Sequence, residues 1–480
     1  MRLLVMWADG GPEMKIIFDA LERAGHEVVY WVGERTGEKN NPKSSVFHDH
    51  YDAWDGKPAQ MFSKANFPPS LELIERMHHV ESIAITMMNK RYDVAAPDER
   101  KQSYYSMLGY WNHVIETLKP DGVIFGMVPH SVYNYIVFEL MKLRGLYTVM
   151  FDDTWIAARL LYYHDFWQGS KSLYGAVKKN KKTEITPDHL GEELRWYYFE
   201  QISDRPPKPP YLAAQRHIAE GAGLARHRFY IALKAIKQGT IFTIVWSYIS
   251  KLFSPNLKKE YNKFVKPANL EKPFVYFPLG FQPERTTSPQ GGVYHDQILV
   301  AKTLAAALPK GWELYVKEHP SQWWLRTKTR YSSARYPGYY ERIASIPKTR
   351  VIPIETDSHM LINHARAVAT VTGTAGWEAA LRGKRSLVFG YPWYLPCPLI
   401  TRVRSVKDCR AALQTANETQ DINQETLRFL KSLEEASLPA YIGDIREFLG
   451  DLAGKEPYIQ RDENMRIIAD FLVQDIASDQ

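Results

Sequence analysis

Apolar residues along the chain gather into short runs separated by amphipathic stretches. Leu3-Leu4-Val5-Met6-Trp7 is followed by a loop from Ala8 to Pro12, an amphipathic stretch from Glu13 to Ala24, Gly25 as a stop, and then Val28-Val29-Tyr30-Trp31-Val32. Strand, helix, strand in that order starts a parallel sheet, because parallel neighbours need a helical crossover. A long polar stretch follows, after which the pattern returns with Gly122-Val123-Ile124-Phe125-Gly126, a helix predicted over Val132 to Leu143 capped by Gly145, and Tyr147 to Phe151 ending at Asp152-Asp153. Residues 1 to about 160 thus read as one doubly wound unit.

A second series begins after Lys266-Pro267. Strands are predicted at Phe274 to Leu279, Glu313 to Val316, Thr349 to Ile354, Ala367 to Thr372 and Ser386 to Phe389, with helices from Gln297 to Leu308, around Met360 to His364 and from Gly376. From about Asp408 the pattern is mostly helical, with Met465, Ile467, Ile468, Phe471 and Leu472 on one face. The reading divides the chain into an N-terminal α/β unit (1–203), a linker or insert (204–267), a second α/β unit (268–455) and a C-terminal helix (456–480).

The insert differs in charge. Residues 204–267 hold twelve Lys or Arg against three Asp or Glu, a local net of +9, whereas the whole chain is +7. Pro206-Pro207-Lys208-Pro209-Pro210 opens it as a stiff spacer. Arg216, Arg226, Arg228, Lys234, Lys237 and Lys251 then lie among apolar residues, and Phe242, Val245, Trp246 and Tyr248 follow in a run too short for the roughly 20 residues of a bilayer span. A basic amphipathic segment fits an interfacial anchor on anionic lipid or a solvated helix packed on the first unit, and both readings stand. Arg226, Arg228, Lys234, Lys237 and Trp246 are the candidate acceptor or membrane contacts.

A chain of 480 residues with 45% apolar and 24% charged residues has room for two or three ordinary globular domains, which excludes disordered, collagen-like and integral-membrane classes. Two cysteines, Cys397 and Cys409, make neither a disulfide framework nor a zinc site, and point to a reducing compartment. Asp9 and the Gly10-Gly11-Pro12 turn end the first apolar run before a signal-peptide core could form, so the expected location is the cytoplasm.

Three segments just after predicted strands carry candidate chemistry: Gly280-Phe281-Gln282-Pro283-Glu284-Arg285-Thr286-Thr287, Lys317-Glu318-His319-Pro320-Ser321-Gln322 and Gly373-Thr374-Ala375-Gly376-Trp377-Glu378. Ligands of open parallel sheets bind beyond the carboxyl ends of the strands, so all three are expected at one cleft. In the third, Gly373 and Gly376 permit close backbone approach. The amides of Thr374, Ala375 and Gly376 open a helix, with the hydroxyls of Thr372 and Thr374 beside them: an anion site for phosphate, or a plain capped helix with Thr374 as N-cap. Glu378, out of register for a capping box, is free to accept from a diol such as ribose. His319, beside Lys317, can donate to a phosphate oxygen or protonate a leaving group, unless it is structural. Gln282, Glu284 and Arg285 could reach the same ligand, although Glu284 and Arg285 would equally make a surface ion pair.

In the first half, Asp9, His130 and Asp152-Asp153 hold the same position after strands. An acid there could deprotonate an acceptor hydroxyl or attack as nucleophile, and Asp9 and Asp153 are the candidates, with Glu284 and His319 from the second half. Adjacent carboxylates on a strand point to opposite faces, which argues against a metal shared by Asp152 and Asp153; no metal and no cofactor are expected.

The segments Gln282-Pro283-Glu284, Lys317-Glu318-His319-Pro320 and Thr372-Gly373-Thr374-Ala375-Gly376-Trp377-Glu378-Ala379-Ala380, closing on Leu387-Val388-Phe389-Gly390, resemble bacterial capsule polysaccharide biosynthesis proteins, a family that includes Kdo (3-deoxy-octulosonic acid) transferases. The His-Pro pair is also similar to that of bacterial sialyltransferases, whose His contacts the donor phosphate of CMP-sialic acid. The resemblance covers about residues 270 to 400. It implies a GT-B fold, two facing Rossmann-like domains with a helical tail, in which the second domain holds a nucleotide-sugar donor: His319 and the Thr372–Gly376 loop at the phosphate, Glu378 at the ribose. It also implies a metal-independent glycosyltransferase of surface-polysaccharide assembly, with a CMP-activated acidic sugar favoured as donor and a glycan or lipid-linked acceptor. The partners would include the inner-membrane surface but no nucleic acid. The rival readings are a nucleotide-sugar epimerase of the same architecture and a non-catalytic polysaccharide-binding or export protein.

Overall fold

A computed structural model describes residues 1–63, 67–92, 95–156, 158–203, 256–324, 334–414, 422–442 and 460–479, without the side chains of residues 323 and 324. The candidate contacts Arg226, Arg228, Lys234, Lys237 and Trp246 lie outside the described residues.

The N-terminal half builds one six-stranded sheet from β1 (Arg2–Met6), β2 (Glu27–Gly33), β3 (Val46–Asp49), β4 (Gly122–Phe125), β5 (Tyr147–Asp153) and β6 (Leu160–Tyr163), in the order β3-β2-β1-β4-β5-β6. All neighbours are parallel except the edge pair β5 and β6. The second sheet runs β12-β11-β10-β7-β8-β9 and is parallel throughout, from β7 (Phe274–Pro278), β8 (Glu313–Lys317), β9 (Thr349–Val351), β10 (Ala367–Thr370), β11 (Arg385–Val388) and β12 (Ile400–Arg402). Each central strand is a continuous apolar run because helices cover both of its faces. Strand order reverses between β1 and β4 in one sheet and between β7 and β10 in the other, and at such a point the loops part to leave a crevice.

Alternation along β1 assigns its residues to two cores. Leu3 and Val5 pack with Ile17, Phe18 and Leu21 of the Met14–Arg23 helix and with Met465, Ile468, Leu472 and Ile476 of the C-terminal helix Arg461–Asp479. Burying those four tail side chains contributes about 6–12 kcal/mol before chain entropy is subtracted, enough to hold the tail on the first sheet. On the other face, Leu4 and Met6 join a core that includes Tyr104, Trp111 and Phe138. That core continues without a break into Trp377, Leu381, Tyr394 and Phe429 of the second half. The Ile422–Ala436 helix packs against the Lys171–Asn180 helix of the first half, and Leu438 bridges to Leu160 at the edge of β6. The two units therefore share one hydrophobic core as well as a linker.

Candidate active site

The three sequence segments of the second unit meet at one edge. Gln282, after β7, and Gln322, after β8, exchange two hydrogen bonds: the Gln282 amide donates to Gln322 Oε1 at 3.2 Å, and Gln322 Nε2 donates to the Gln282 carbonyl at 3.0 Å. The Thr372 hydroxyl, after β10, donates to the Thr286 carbonyl, and the Tyr391 amide, after β11, donates to the Gln290 carbonyl at 3.0 Å. A Cβ on Gly390 would lie 2.5 Å from Thr372 Cγ2 and 2.7 Å from the Gln290 carbonyl oxygen, so only glycine lets these loops come together.

Beneath them lies a pair that the sequence offered no way to find. Glu318 and Arg335 have fully buried side chains and form an ion pair, Arg335 Nε at 2.7 Å from Glu318 Oε2. Arg335 also donates to Glu318 Oε1 at 3.2 Å, Gln282 Oε1 at 2.5 Å and the Gly280 carbonyl at 3.1 Å, while Glu318 accepts from the Tyr340 hydroxyl at 2.6 Å and the His319 amide at 2.7 Å. The β7 and β8 loops are thus cross-braced by one guanidinium. Gln282, read as a donor contact, has both ends of its carboxamide engaged here, since Nε2 donates to the His295 carbonyl at 2.8 Å. Lys317 is buried and turned toward the Thr356 carbonyl (2.7 Å) and Ser358 Oγ (2.6 Å).

His319 is half-buried in front of this brace. Its Nδ1 accepts from the Ser321 amide at 3.2 Å, so the neutral ring carries its proton on Nε2. Burial pushes its pKa down to about 4, with Glu318 and Glu284 opposing and Lys317 and Arg335 adding to the effect. At neutral pH the ring is an uncharged hydrogen-bond donor.

The Thr374–Leu381 helix starts with Gly373, rather than Thr374, as its N-cap. The Gly373 amide donates to Thr370 Oγ1 at 2.9 Å, and the Gly376 amide to the Gly373 carbonyl at 3.1 Å. The Thr374 and Ala375 amides are the first two of the helix and have no acceptor within it. The Thr374 hydroxyl donates to Glu378 Oε1 at 3.1 Å, which occupies one of the two carboxylate oxygens assigned to a diol. Gly376 serves packing: a Cβ there would stand 2.7 Å from Tyr394 Oη and 2.9 Å from both Ser386 Oγ and Thr370 Cγ2.

The β7 loop also crosses to the first unit. Arg285 Nη1 lies 3.0 Å from Asp152 Oδ1, the Tyr163 hydroxyl donates to Asp152 Oδ2 at 3.0 Å, and Gln290 Nε2 at 3.4 Å. Ser288 Oγ and Thr86 Oγ1 are 2.7 Å apart, and the rings of Trp167 and Tyr391 sit 4.8 Å apart centre to centre. Burial raises the Asp152 pKa against the pull of Arg285, Tyr163 and Gln290. Asp153 faces the opposite way, as strand alternation requires, and accepts from the Ile442 amide at 3.1 Å. Burial pushes its pKa up to about 8. Of the adjacent pair, Asp152 is the one at the junction. Asp9 accepts from the Gly11 amide at 2.7 Å and closes its own loop beside β1. Glu284 accepts from the Thr286 amide at 3.2 Å and from the Thr286 hydroxyl.

Lys90, His50 and His130 complete the first unit's side of the junction. Lys90 lies over the Trp54 ring at 5.1 Å and is electrostatically coupled to Glu284 and Arg285. His50 is hydrogen-bonded through Nδ1 to the Tyr133 hydroxyl at 2.8 Å, and burial pushes its pKa down to about 4. Among the described residues no group of three or more His, Cys, Asp or Glu is placed to hold a metal, and no helix is long and apolar enough to cross a membrane. An open depression lined by Lys142, Thr148, His164 and Lys171 lies near the start of β5, away from the carboxyl ends of the strands.

Two doubly wound units joined where the β7 loop of one meets the end of β5 of the other have the GT-B class of fold. Within it, residues 274–429 match the family described as capsule polysaccharide biosynthesis protein, a stretch that runs from β7 into the Ile422–Ala436 helix and contains all three cleft segments. No curated protein matches the chain. Among solved structures, it is similar to Thermosulfurimonas dismutans KpsC, beta Kdo 2,7 transferase (12% identity, 70% of this chain and 83% of that one, TM-score 0.30). It is also similar to the UDP-GlcNAc 2-epimerase of Methanocaldococcus jannaschii (13%, 99% and 100%, TM-score 0.26) and to the spinosyn rhamnosyltransferase SpnG (12%, 92% and 98%, TM-score 0.24).

Proposed function

We propose that this protein is a glycosyltransferase of bacterial surface-polysaccharide assembly, moving a sugar from a nucleotide donor to a glycan or lipid-linked hydroxyl. The observation that supports the reading is that, within the family-matched stretch, the loops after β7, β8 and β10, which carry Gln282, His319 and Thr374, are hydrogen-bonded to one another at the carboxyl edge of the second sheet, where strand order reverses. In this reading the amides of Thr374 and Ala375 and the Nε2–H of His319 receive the donor phosphate. Hydrogen bonds aimed at the oxygen that gains charge as the glycosidic bond breaks are worth about 10²–10³ in rate each. His319 does this as a neutral donor, because its pKa of about 4 leaves it uncharged at pH 7.

A CMP-activated acidic sugar is the favoured donor, by resemblance of the His-Pro segment to sialyltransferases. The basic, aromatic stretch from Arg216 to Lys259, with Arg226, Arg228, Lys234, Lys237 and Trp246, would bring the enzyme to the cytoplasmic face of the inner membrane, where a lipid-linked acceptor resides.

The test is a panel of CMP-, UDP-, GDP- and CDP-sugars, read first as thermal stabilisation and then as transfer to glycan acceptors. One nucleotide class should stabilise wild type, since ligand that binds only the folded state raises the midpoint by mass action. His319→Ala should lower kcat/KM for that donor about 10²–10³-fold. Conversion of a nucleotide sugar without acceptor would assign an epimerase instead, and binding without turnover a non-catalytic protein.

A further inference from the structure

We propose that His130 is the catalytic base that takes the proton of the acceptor hydroxyl; this rests on the glycosyltransferase reading above. Neither Asp9 nor Asp153 is placed as well for the task. Asp9 holds its own turn, and Asp153 faces the amide of Ile442 on the far side of β5.

His130 follows β4, one of the two strands flanking the crevice of the first sheet. Its Nδ1 lies 3.0 Å from the Val128 carbonyl oxygen, which can only accept, so Nδ1 carries the ring proton and Nε2 carries a lone pair. The ring is half-buried, and among the described residues no hydrogen bond reaches Nε2. The neighbouring Ser131 amide is engaged by Asn134 Oδ1 at 2.9 Å, which starts the Val132–Leu143 helix and fixes the backbone on which the imidazole stands. Orientation by a second group on the far nitrogen is what a general base requires.

The charged and titratable neighbours come from three elements: Lys90 from the turn after the His78–Met87 helix, Arg285 from the β7 loop of the second unit, and His50 from the start of the short His50–Trp54 helix that follows β3. Burial first, then Lys90 and Arg285, and His50 to a smaller degree, hold the His130 pKa well below the ordinary value, against the Val128 hydrogen bond. Without substrate the base is therefore uncharged. In the step itself the acceptor oxygen forms its bond to the anomeric carbon, its proton passes to Nε2, and the carbon–oxygen bond to the phosphate breaks with the electron pair leaving on the nucleotide.

The test uses His130→Asn in the full-length chain, because the Asn amide nitrogen reproduces the Nδ1–H donor to Val128 while removing the Nε2 lone pair. With the donor found in the panel above, thermal stabilisation by that nucleotide should match wild type while kcat for transfer falls about 10²–10⁴-fold. The acid limb of the kcat/KM against pH profile should also disappear. Lys90→Met should move that limb to higher pH. A folded His130→Asn variant that keeps more than a tenth of wild-type kcat with an unchanged pH profile overturns the assignment of the base. Wild type that transfers from none of the donors overturns the glycosyltransferase reading itself, and the assignment with it.

Discussion

Replacing Arg335 by methionine is the sharpest probe of how the cleft is held. The substitution keeps most of the aliphatic volume and removes the guanidinium that braces Glu318, Gln282 and the Gly280 carbonyl. Both members of the ion pair are fully buried, so Glu318 would be left as a desolvated carboxylate held, among the described residues, by the Tyr340 hydroxyl and the His319 amide. Breaking one side of a buried pair costs about 3–5 kcal/mol, mostly the cost of the charge left behind. For a unit of roughly 150–250 residues this lowers the melting temperature by about 6–20 °C, at about 2–4 °C per kcal/mol. The assay is denaturant unfolding of wild type, Arg335→Met, Glu318→Gln and the double variant. The double variant leaves no unpaired charge and should be more stable than the sum of the two single losses predicts, by about 1–3 kcal/mol. A loss below about 1 kcal/mol for Arg335→Met, or strict additivity in the cycle, would refute the reasoning. Since the His319 amide is bound to Glu318, Arg335→Met should also weaken donor binding without touching any donor atom.

Two further outcomes follow from particular contacts. Gly376→Ala should destabilise by about 1–3 kcal/mol through overpacking against Tyr394, Ser386 and Thr370, despite the better helix propensity of alanine; an unchanged denaturation midpoint would return this glycine to ligand approach. His164, whose Nδ1 donates to the Thr148 carbonyl at 2.8 Å and whose Nε2 lies 3.5 Å from Asp475 Oδ1 on the C-terminal helix, has a raised pKa, chiefly through Asp475 and against burial. Its folded pKa therefore lies above its unfolded value of about 6.5, so its stabilisation is complete below about pH 6.5 and is lost as pH rises through the folded value. Asp475→Asn should flatten that part of the stability profile measured by urea midpoints from pH 5 to 9, and an unaltered slope would exclude the pair as its source.

Apart from β9 at an edge of the second sheet, the strands that patterning identified are interior ones, such as β1, β4, β7 and β10, where burial on both faces demands a continuous apolar run. The three it passed over, β3, β6 and β12, are all at sheet edges, where one side lacks a partner and Val-Phe-His-Asp or Ile-Thr-Arg suffices. The Pro97–Leu118 helix lay inside the stretch taken as polar. Its buried Tyr104, Met107, Leu108, Trp111, Val114 and Ile115 keep a helical spacing that the charged residues around them obscure. In the site, the segments around Gln282, His319 and Thr374 could be read because each follows a strand and carries residues that such a position rarely holds without cause. Glu318 with Arg335, and Lys90 with His130, could not be paired from spacing.

By itself, then, the sequence determined two doubly wound units and the three cleft segments of the second, because apolar periodicity and post-strand glycines are local properties of the chain. Only the tertiary structure decided that the C-terminal helix returns to the first sheet and that Asp152 rather than Asp153 meets Arg285. It also decided which nitrogen of His130 and of His319 carries the proton. Those outcomes depend on which groups far apart in the chain come within a few ångströms and lose their water together, and no local pattern records that.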